Sequence, residues 1–365
     1  MISAPINKVL IEEGANGDEQ TYVILKRLNN PPFEIINPER YHEKGDFMDM
    51  DKKTLRLIHF KGEFIKPCPG TKGYICCGYI ILHAGSNCPL DCSYCILQSY
   101  FNQPSLRVFV NLKDELNRVG YIIDSHPERI FRIGTGEFTD SLALDYITDW
   151  SKILSSFIRG RKNAVLEFKT KTDQVRGLLS SPYRERIIVS WSLNSTYIAS
   201  REEHGAPTIE KRLQAAKECQ KEGIVIGFHF DPLIRHTNWR EGYLRTIEML
   251  DRYIDPNRTI WISLGCLRYP PALKLIIRRR KPRTDILDGE LIHGLDGKMR
   301  YFKPLRIEIY SFLREQIWKW AGDYSCLYLC MESNDVWREG LGWSPQNTEG
   351  LSSFLDNRVR KLFKS

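Results

Sequence analysis

The stretch Gly78-Tyr79-Ile80-Ile81-Leu82-His83-Ala84-Gly85-Ser86-Asn87-Cys88-Pro89-Leu90-Asp91-Cys92-Ser93-Tyr94-Cys95 runs from an apolar, β-prone segment straight into a C-x3-C-x2-C triplet. Cysteines this close are too tightly spaced for a structural disulfide and suit thiolate ligation of a metal centre. Three thiolates hold three irons of a [4Fe-4S] cluster and leave the fourth iron open to a second molecule. In radical enzymes that molecule is S-adenosylmethionine, whose amino and carboxylate groups chelate the open iron while the cluster supplies one electron to break a carbon–sulfur bond. Zinc is the competing reading, with Cys68, Cys76 or Cys77 as a fourth ligand. Zinc, however, wants a closed tetrahedron and usually two C-x2-C pairs. The spacing, the aromatic Tyr94 before the last cysteine and the strand in front favour the iron–sulfur cluster.

From Gly78 onward the chain repeats a short β-rich run, a polar turn and an amphipathic helical stretch. Candidate strands cover residues 78–84, 129–134, 164–170, 186–193, 223–230 and 258–264, and helical patterns cover 140–158, 207–222 and 239–253. Pro207 suits a first helical turn, and Gly223 stands just past a helix end. Strand and helix in alternation predict parallel βαβ units of the α/β class. Six units, where a closed barrel has eight, predict a partial (β/α)6 barrel with active groups at the carboxyl ends of its strands. The cysteine triplet falls there after the first strand, and Gly134-Thr135-Gly136-Glu137 with Thr139 after the second. Lys171, Ser192 and Cys266 end the third, fourth and sixth strands, while Asp231-Pro232, Arg235, His236 and Trp239 follow the fifth.

Three regions are expected. Residues 1–75 form an N-terminal lead-in, 76–269 the barrel, and 270–365 a basic helix, a hairpin and an aromatic extension. The hairpin is placed at 291–305 with its turn at Asp296-Gly297. The tail, with Trp318, Trp320 and Trp337, is expected to cap the barrel.

A chain of 365 residues with 53 Lys and Arg against 45 Asp and Glu carries a net charge of +8. No run approaches the length of a membrane span, and residues 1–20 lack the apolar core of a secretory leader, so a cytoplasmic location without membrane partners is expected. Ten cysteines then fit a reducing compartment where thiols persist as ligands or hydrogen donors. The cations concentrate in Arg278, Arg279, Arg280, Lys281 and Arg283, followed by Lys298, Arg300, Lys303 and Arg306 around Tyr301 and Phe302. Interleaved cations and aromatics suit phosphate contacts and base stacking, against the plainer reading of a solvated basic face.

Five further stretches join the triplet in a family pattern. These are Tyr94-Cys95-Ile96-Leu97-Gln98 leading to Arg107-Val108-Phe109-Val110-Asn111, the residues from Arg132 to Asp140, Phe168-Lys169-Thr170-Lys171, Ser192-Leu193-Asn194-Ser195, and Pro232-Leu233-Ile234-Arg235-His236 with Trp239, Gly242 and Tyr243. Over roughly residues 60–305 the chain resembles the spore photoproduct lyase family of radical SAM enzymes. The resemblance implies a partial barrel, a [4Fe-4S] cluster on Cys88, Cys92 and Cys95, and bound S-adenosylmethionine. It also implies reversal of a methylene-bridged thymine dimer in DNA, with cofactor contacts at Lys171 and Ser192 and a lesion-side hairpin at 291–305. Family lyases carry a hydrogen-donating cysteine after the second strand, where this chain has Glu137, and a relay tyrosine just after the third cluster cysteine, where it has Ile96. His293-Gly294 stands where an Arg-Tyr pair is expected near the hairpin tip.

Tyr94 and Cys266 are therefore the candidate catalytic residues, with Cys77 and Cys330 as weaker alternatives to Cys266. Gly134, Thr135, Gly136, Glu137, Thr139, Lys171 and Ser192 are the candidate cofactor contacts. Arg278, Arg279, Arg280, Lys281, Lys298, Arg300 and Tyr301 are the candidate nucleic-acid contacts. The expected partners are damaged DNA and an electron donor such as a flavodoxin or ferredoxin. The same chemistry on an RNA base or a peptide, and a non-catalytic metal-stapled nucleic-acid binder, are the competing functions.

Overall fold

Valine- and isoleucine-rich runs buried on both faces build the central sheet of the computed structural model, which describes residues 6–42, 51–71, 73–322 and 326–363. Its parallel strands are β1 (Ile80–Leu82), β2 (Phe131–Gly134), β3 (Ala164–Thr170), β4 (Ile187–Ser192), β5 (Val225–Leu233), β6 (Thr259–Cys266) and β7 (Leu327–Leu329). They neighbour one another in chain order, and strand Ile65–Pro67 adds antiparallel to β1. The sheet curls into the partial barrel read from the alternation, with one addition. β7 comes from the C-terminal region and pairs with β6 from Ile262↔Leu327 to Leu264↔Leu329. At only three residues, Leu327–Leu329 is too short to show a strand period in the sequence.

Inside the barrel, side chains alternate inward with the period of a strand. Gly227 on β5 leaves the room that Ser190 and Trp261 fill, since a Cβ there would stand 2.5 Å from Ser190 Oγ and 2.9 Å from Trp261 Nε1.

The helices depart from the sequence pattern in two places. The pattern at 140–158 is two helices, Asp145–Thr148 and Trp150–Ile158, because Asp149 takes a left-handed φ of 57° between them. Asp145 receives the Ser151 amide at 2.8 Å across this break. The pattern at 207–222 is the helix Ile209–Lys221, which starts two residues beyond Pro207 because Thr208 caps it. Gly223, at φ 83°, ends the connection as its position suggested.

A second sheet, in the order Phe33–Ile36, Lys8–Glu12, Thr54–Ile58, Leu106–Phe109 and Gly85–Ser86, draws strands from both sides of the boundary expected near residue 75. The N-terminal region is therefore packed into the molecule through shared pairing. The C-terminal region likewise supplies β7 and the helix Thr348–Phe363. Arg358 of that helix binds the carbonyls of Thr259 and Ile260, and Asp356 pairs with Arg132 at 2.7 Å, so the tail covers the amino ends of the strands. Trp337 is buried there, whereas Trp318 is exposed.

The hairpin pairs Leu291–His293 with Met299–Tyr301 around Asp296-Gly297, as its turn signal indicated. It stops short of residue 305, because the helix Lys303–Ala321 begins with Pro304 in its first turn.

His83 follows β1 into a nest formed by Phe60, Phe109 and Phe138. Burial, with Lys66 nearby, pulls its pKa from 6.5 down to about 4. The fold holds the ring neutral where the unfolded chain protonates it. The resulting stability is whole above about pH 6.5 and is lost as the pH falls towards 4. His83→Phe is expected to flatten the fall in melting temperature across that window, and an unchanged slope counts against this assignment.

Candidate active site

The carboxyl ends of the strands open on one cavity of about 370 Å³. Cys88, Cys92 and Cys95 line it together with Tyr94 and Ile96. Gly136, Glu137 and Thr139 reach it from the loop after β2, Lys171 from the end of β3, Ser192 from β4, and Asp231 and Pro232 from β5. Leu267 and Arg268 follow β6, and Cys330 and Met331 follow β7. Lys298 enters from the hairpin.

The cysteine loop is held on several sides. Asn87, at φ 65°, donates to the carbonyls of Gln103 and Ser105 at 2.8 and 2.6 Å. The buried Gln98 amide donates to the carbonyls of Cys92, Ser93 and Cys95 at 3.2, 2.8 and 3.2 Å. Ser93 N donates to Glu202 O at 2.8 Å, and Gly205 N donates to Leu90 O at 2.8 Å. Gly205 is required there, since a Cβ would meet the Leu90 backbone at 2.8 Å.

Burial pushes the Cys88 thiol up to about 12, with Asp140 and Cys95 adding to the shift, and pushes Cys92 well above its ordinary range. Such thiols become thiolates when a cation neutralises them, which is what iron in a cluster provides. Among the described residues no three His, Cys, Asp or Glu side chains converge as a single-ion site. The three cysteines instead share the wall of one cavity of about 370 Å³.

Tyr94 is committed elsewhere. Its hydroxyl donates to Glu203, which is also paired with Arg212, and both partners of that ion pair are fully buried. Arg212 also donates to the Ser192 carbonyl at 3.0 Å. Burial opposes the charge of Glu203, but the Arg212 guanidinium and Lys171 hold its carboxyl below the usual range. Lys171 Nζ lies 5.7 Å from the centre of the Tyr94 ring. Tyr94 thus ties the cysteine loop to the segment after β4.

The polar floor of the cavity is Glu167 on β3. It accepts from Ser190 and, at 2.9 Å each, from His229 Nε2 and Trp261 Nε1. Burial works against its charge, yet His229 above all holds its carboxyl down at about 2. Lys169, two residues on and facing the same way, pairs with Glu137 at 2.7 Å. Strand alternation places Lys169 beside Lys171, a signal legible in Phe168-Lys169-Thr170-Lys171. Asp231 and Arg268 form a two-bond pair at 2.9 and 3.1 Å on the far wall.

Gly134 and Thr135 lie behind the wall. A side chain on Gly134 would overlap the Tyr79 hydroxyl, and Thr135 Oγ1 is bonded to Ser141 at 2.7 Å. Tyr79 Oη, although buried, has no hydrogen-bond partner among the described residues and lines the cavity.

Cys266 stands apart from the cavity. It is buried beside Tyr310, whose oxygen accepts from the Cys266 amide at 2.8 Å, and it does not line the cavity. β6 ends at Cys266, and the residues that reach the cavity are the next two, Leu267 and Arg268. The thiols that do line it, beyond the triplet, are Cys68, Cys77 and Cys330. Arg235, His236 and Trp239 also stand outside the cavity, His236 bonded to Ser195 at 2.8 Å.

The candidate nucleic-acid residues divide. Arg300 and Tyr301 are buried, Arg300 pairing with Asp296 at 2.6 Å and Tyr301 accepting from the Arg235 amide at 3.1 Å, so neither reaches a phosphate or a base. Arg280 and Lys281 pair with Asp91 of the cysteine loop at 2.7 and 2.9 Å. Lys298 lines the cavity, while Arg278 and Arg279 are exposed.

The family model for spore photoproduct lyase matches residues 76–303, well over half the chain. The chain belongs to the spore photoproduct lyase family. Spore photoproduct lyase of a Geobacillus species is 28% identical over 221 residues, covering 60% of this chain and 63% of that protein. The Bacillus subtilis lyase is 27% identical over 234 residues, covering 63% and 66%. The matched stretch thus spans just under two thirds of each of these curated relatives. In three dimensions the chain resembles a mutant spore photoproduct lyase with bound AdoMet and dinucleoside spore photoproduct, at a TM-score of 0.78 and 22% identity over 88% of this chain and 98% of that one. A lyase complexed with dinucleoside spore photoproduct aligns with a TM-score of 0.77 at 22% identity over the same shares. These likenesses show that the chain shares the partial-barrel fold of these lyases. Among the described residues no helix is long and apolar enough to cross a membrane.

Proposed function

We propose that this chain is a radical SAM enzyme that carries a [4Fe-4S] cluster on Cys88, Cys92 and Cys95, binds S-adenosylmethionine across the strand ends and reverses a thymine-dimer lesion in DNA. The observation that carries the reading is that the cysteine triplet and Gly136, Glu137, Thr139, Lys171 and Ser192 share the wall of one cavity. One lyase in the comparison holds AdoMet and dinucleoside spore photoproduct together, and another holds the dinucleoside spore photoproduct. The cluster, when bound, supplies the electron that cleaves the cofactor's carbon–sulfur bond.

The remaining work falls to the chain. Lys171 and Ser192 stand ready for the cofactor's carboxylate and ribose, and Gly136, where a Cβ would stand 2.6 Å from Lys169 Cβ, lets the loop after β2 pack closely and presents backbone to the cavity for its methionyl end. Glu137, held by Lys169, offers a carboxylate to the amino group. Arg268 and Lys298 supply cationic groups on the lesion side. Tyr94 is a positioning residue, since its hydroxyl is bound to Glu203. An S–H bond is weak enough to give hydrogen to a carbon radical and the Glu137 carboxylate has none to give, so the donor is sought among Cys68, Cys77 and Cys330. Cys266→Ala is expected to leave the product unchanged, whereas Cys77→Ala with Cys330→Ala diverts it to radical adducts, as read by mass spectrometry. The opposite pattern would return the role to Cys266.

The same chemistry on an RNA base or a peptide is favoured by one observation, the Glu137–Lys169 pair at the position of the family's donor cysteine. The test of the shared chemistry is iron and sulfide content together with formation of 5′-deoxyadenosine from S-adenosylmethionine and dithionite under anaerobic conditions. A zinc-only protein that forms none refutes both readings.

A further inference from the structure

The basic helix Pro271–Arg280 does not face the substrate cavity, since none of its residues lines it. It meets the cysteine loop from outside. Arg280 and Lys281 both pair with Asp91, which stands between Cys88 and Cys92. Arg280 also donates to the Gln98 side-chain carbonyl, and the Gln98 amide donates to the carbonyls of Cys92, Ser93 and Cys95. A short run of hydrogen bonds therefore leads from this helix to the backbone of two ligand cysteines. On the outer side, Arg278, Arg279 and Arg283 are exposed, and the apolar surface beside the cations includes Leu275 at 67% exposure. Tyr100, at the end of the short helix Leu97–Tyr100 that packs against the basic helix, is also exposed. Cations around an apolar centre favour an acidic protein partner, because opposite charge steers encounter and apolar contact holds the complex.

We infer that the outer face of this helix is the docking surface of an acidic, flavodoxin-type one-electron carrier, which delivers electrons to the cluster from the side opposite the substrate. This rests on the radical SAM reading above. In the transfer, the reduced carrier loses one electron, the oxidised cluster gains it, and no bond of the protein is made or broken. The arrangement leaves the cavity free for cofactor and lesion while the cluster is reduced. It also assigns the basic run a role other than phosphate binding. Arg280 and Lys281 position the loop, and Arg278 and Arg283 meet the partner.

The experiment compares wild-type protein with Arg278→Glu/Arg283→Glu, which spares the Asp91 clamp. Affinity for a labelled flavodoxin is measured by fluorescence anisotropy on the reconstituted protein, and cluster reduction by reduced flavodoxin or by dithionite is followed by stopped flow. The variant is expected to bind flavodoxin at least tenfold more weakly and to be reduced by it correspondingly more slowly. Its reduction by dithionite and its affinity for duplex DNA should match the wild type. Unchanged flavodoxin affinity overturns the proposal, as does lost DNA affinity with flavodoxin-driven reduction intact, which would make the helix a nucleic-acid surface. Iron and sulfide are assayed on the same preparations. Failure of the cluster reading therefore appears as missing iron, while the anisotropy still decides the docking.

Discussion

Cys92→Ala is expected to leave a folded protein that no longer assembles a full cluster and forms no 5′-deoxyadenosine. Cys92 is the central ligand of the triplet, and its backbone pairs with Glu203, so the loop keeps its place through main-chain bonds that the substitution leaves intact. Losing one of three thiolates removes a ligand that nothing on the same loop replaces. Cys68 and Cys77 lie on the cavity wall along Ile65–Pro67 and β1, outside that loop. The checks are circular dichroism for the fold, iron analysis for the cluster and chromatography for 5′-deoxyadenosine. Wild-type turnover by reconstituted Cys92→Ala would refute the ligand assignment.

The largest effect on stability is expected from Arg212→Ala. Arg212 and Glu203 have no exposed side-chain surface, and the Arg212 guanidinium also serves the carbonyls of Pro207 and Ser192. Removing it strands a buried carboxylate and two carbonyls, a change worth about 3–5 kcal/mol in comparable buried pairs. Glu203 also accepts from Tyr94, so the loss should reach the cysteine loop and lower cluster occupancy as well as the denaturation midpoint. A loss under about 1 kcal/mol would mean that the pair is relieved by water or relaxation.

Much of this architecture was legible because the barrel strands obey simple rules. Ala164–Thr170 appears in the structure with the bounds that its pattern gave, since it is a β-rich run framed by turn signals. β7 was not legible, because three residues carry no period and its register depends on β6. The cysteine triplet announced itself through spacing that few other uses require. The polar floor did not, because Glu167 and His229 are 62 residues apart and look like ordinary strand residues until the sheet curls. Cys266 illustrates the limit of reasoning from strand ends. The thiol ends β6 as read, but the chain continues inward through Leu267 and Arg268, and Tyr310 and Glu332 close over the cysteine. The basic run shows a similar limit, since Arg300 looks like a surface cation and is in fact bound to Asp296 and the Met331 carbonyl.

The proposed function is tested most directly by product analysis on one substrate. Anaerobically reconstituted protein is incubated with S-adenosylmethionine, reductant and synthetic dinucleoside spore photoproduct, and the nucleosides are resolved by mass spectrometry. The account predicts conversion of the dimer to two unlinked thymine residues, dependent on cofactor and reductant and absent in Cys92→Ala. Formation of 5′-deoxyadenosine with the dimer untouched would contradict it and assign the radical chemistry to another substrate.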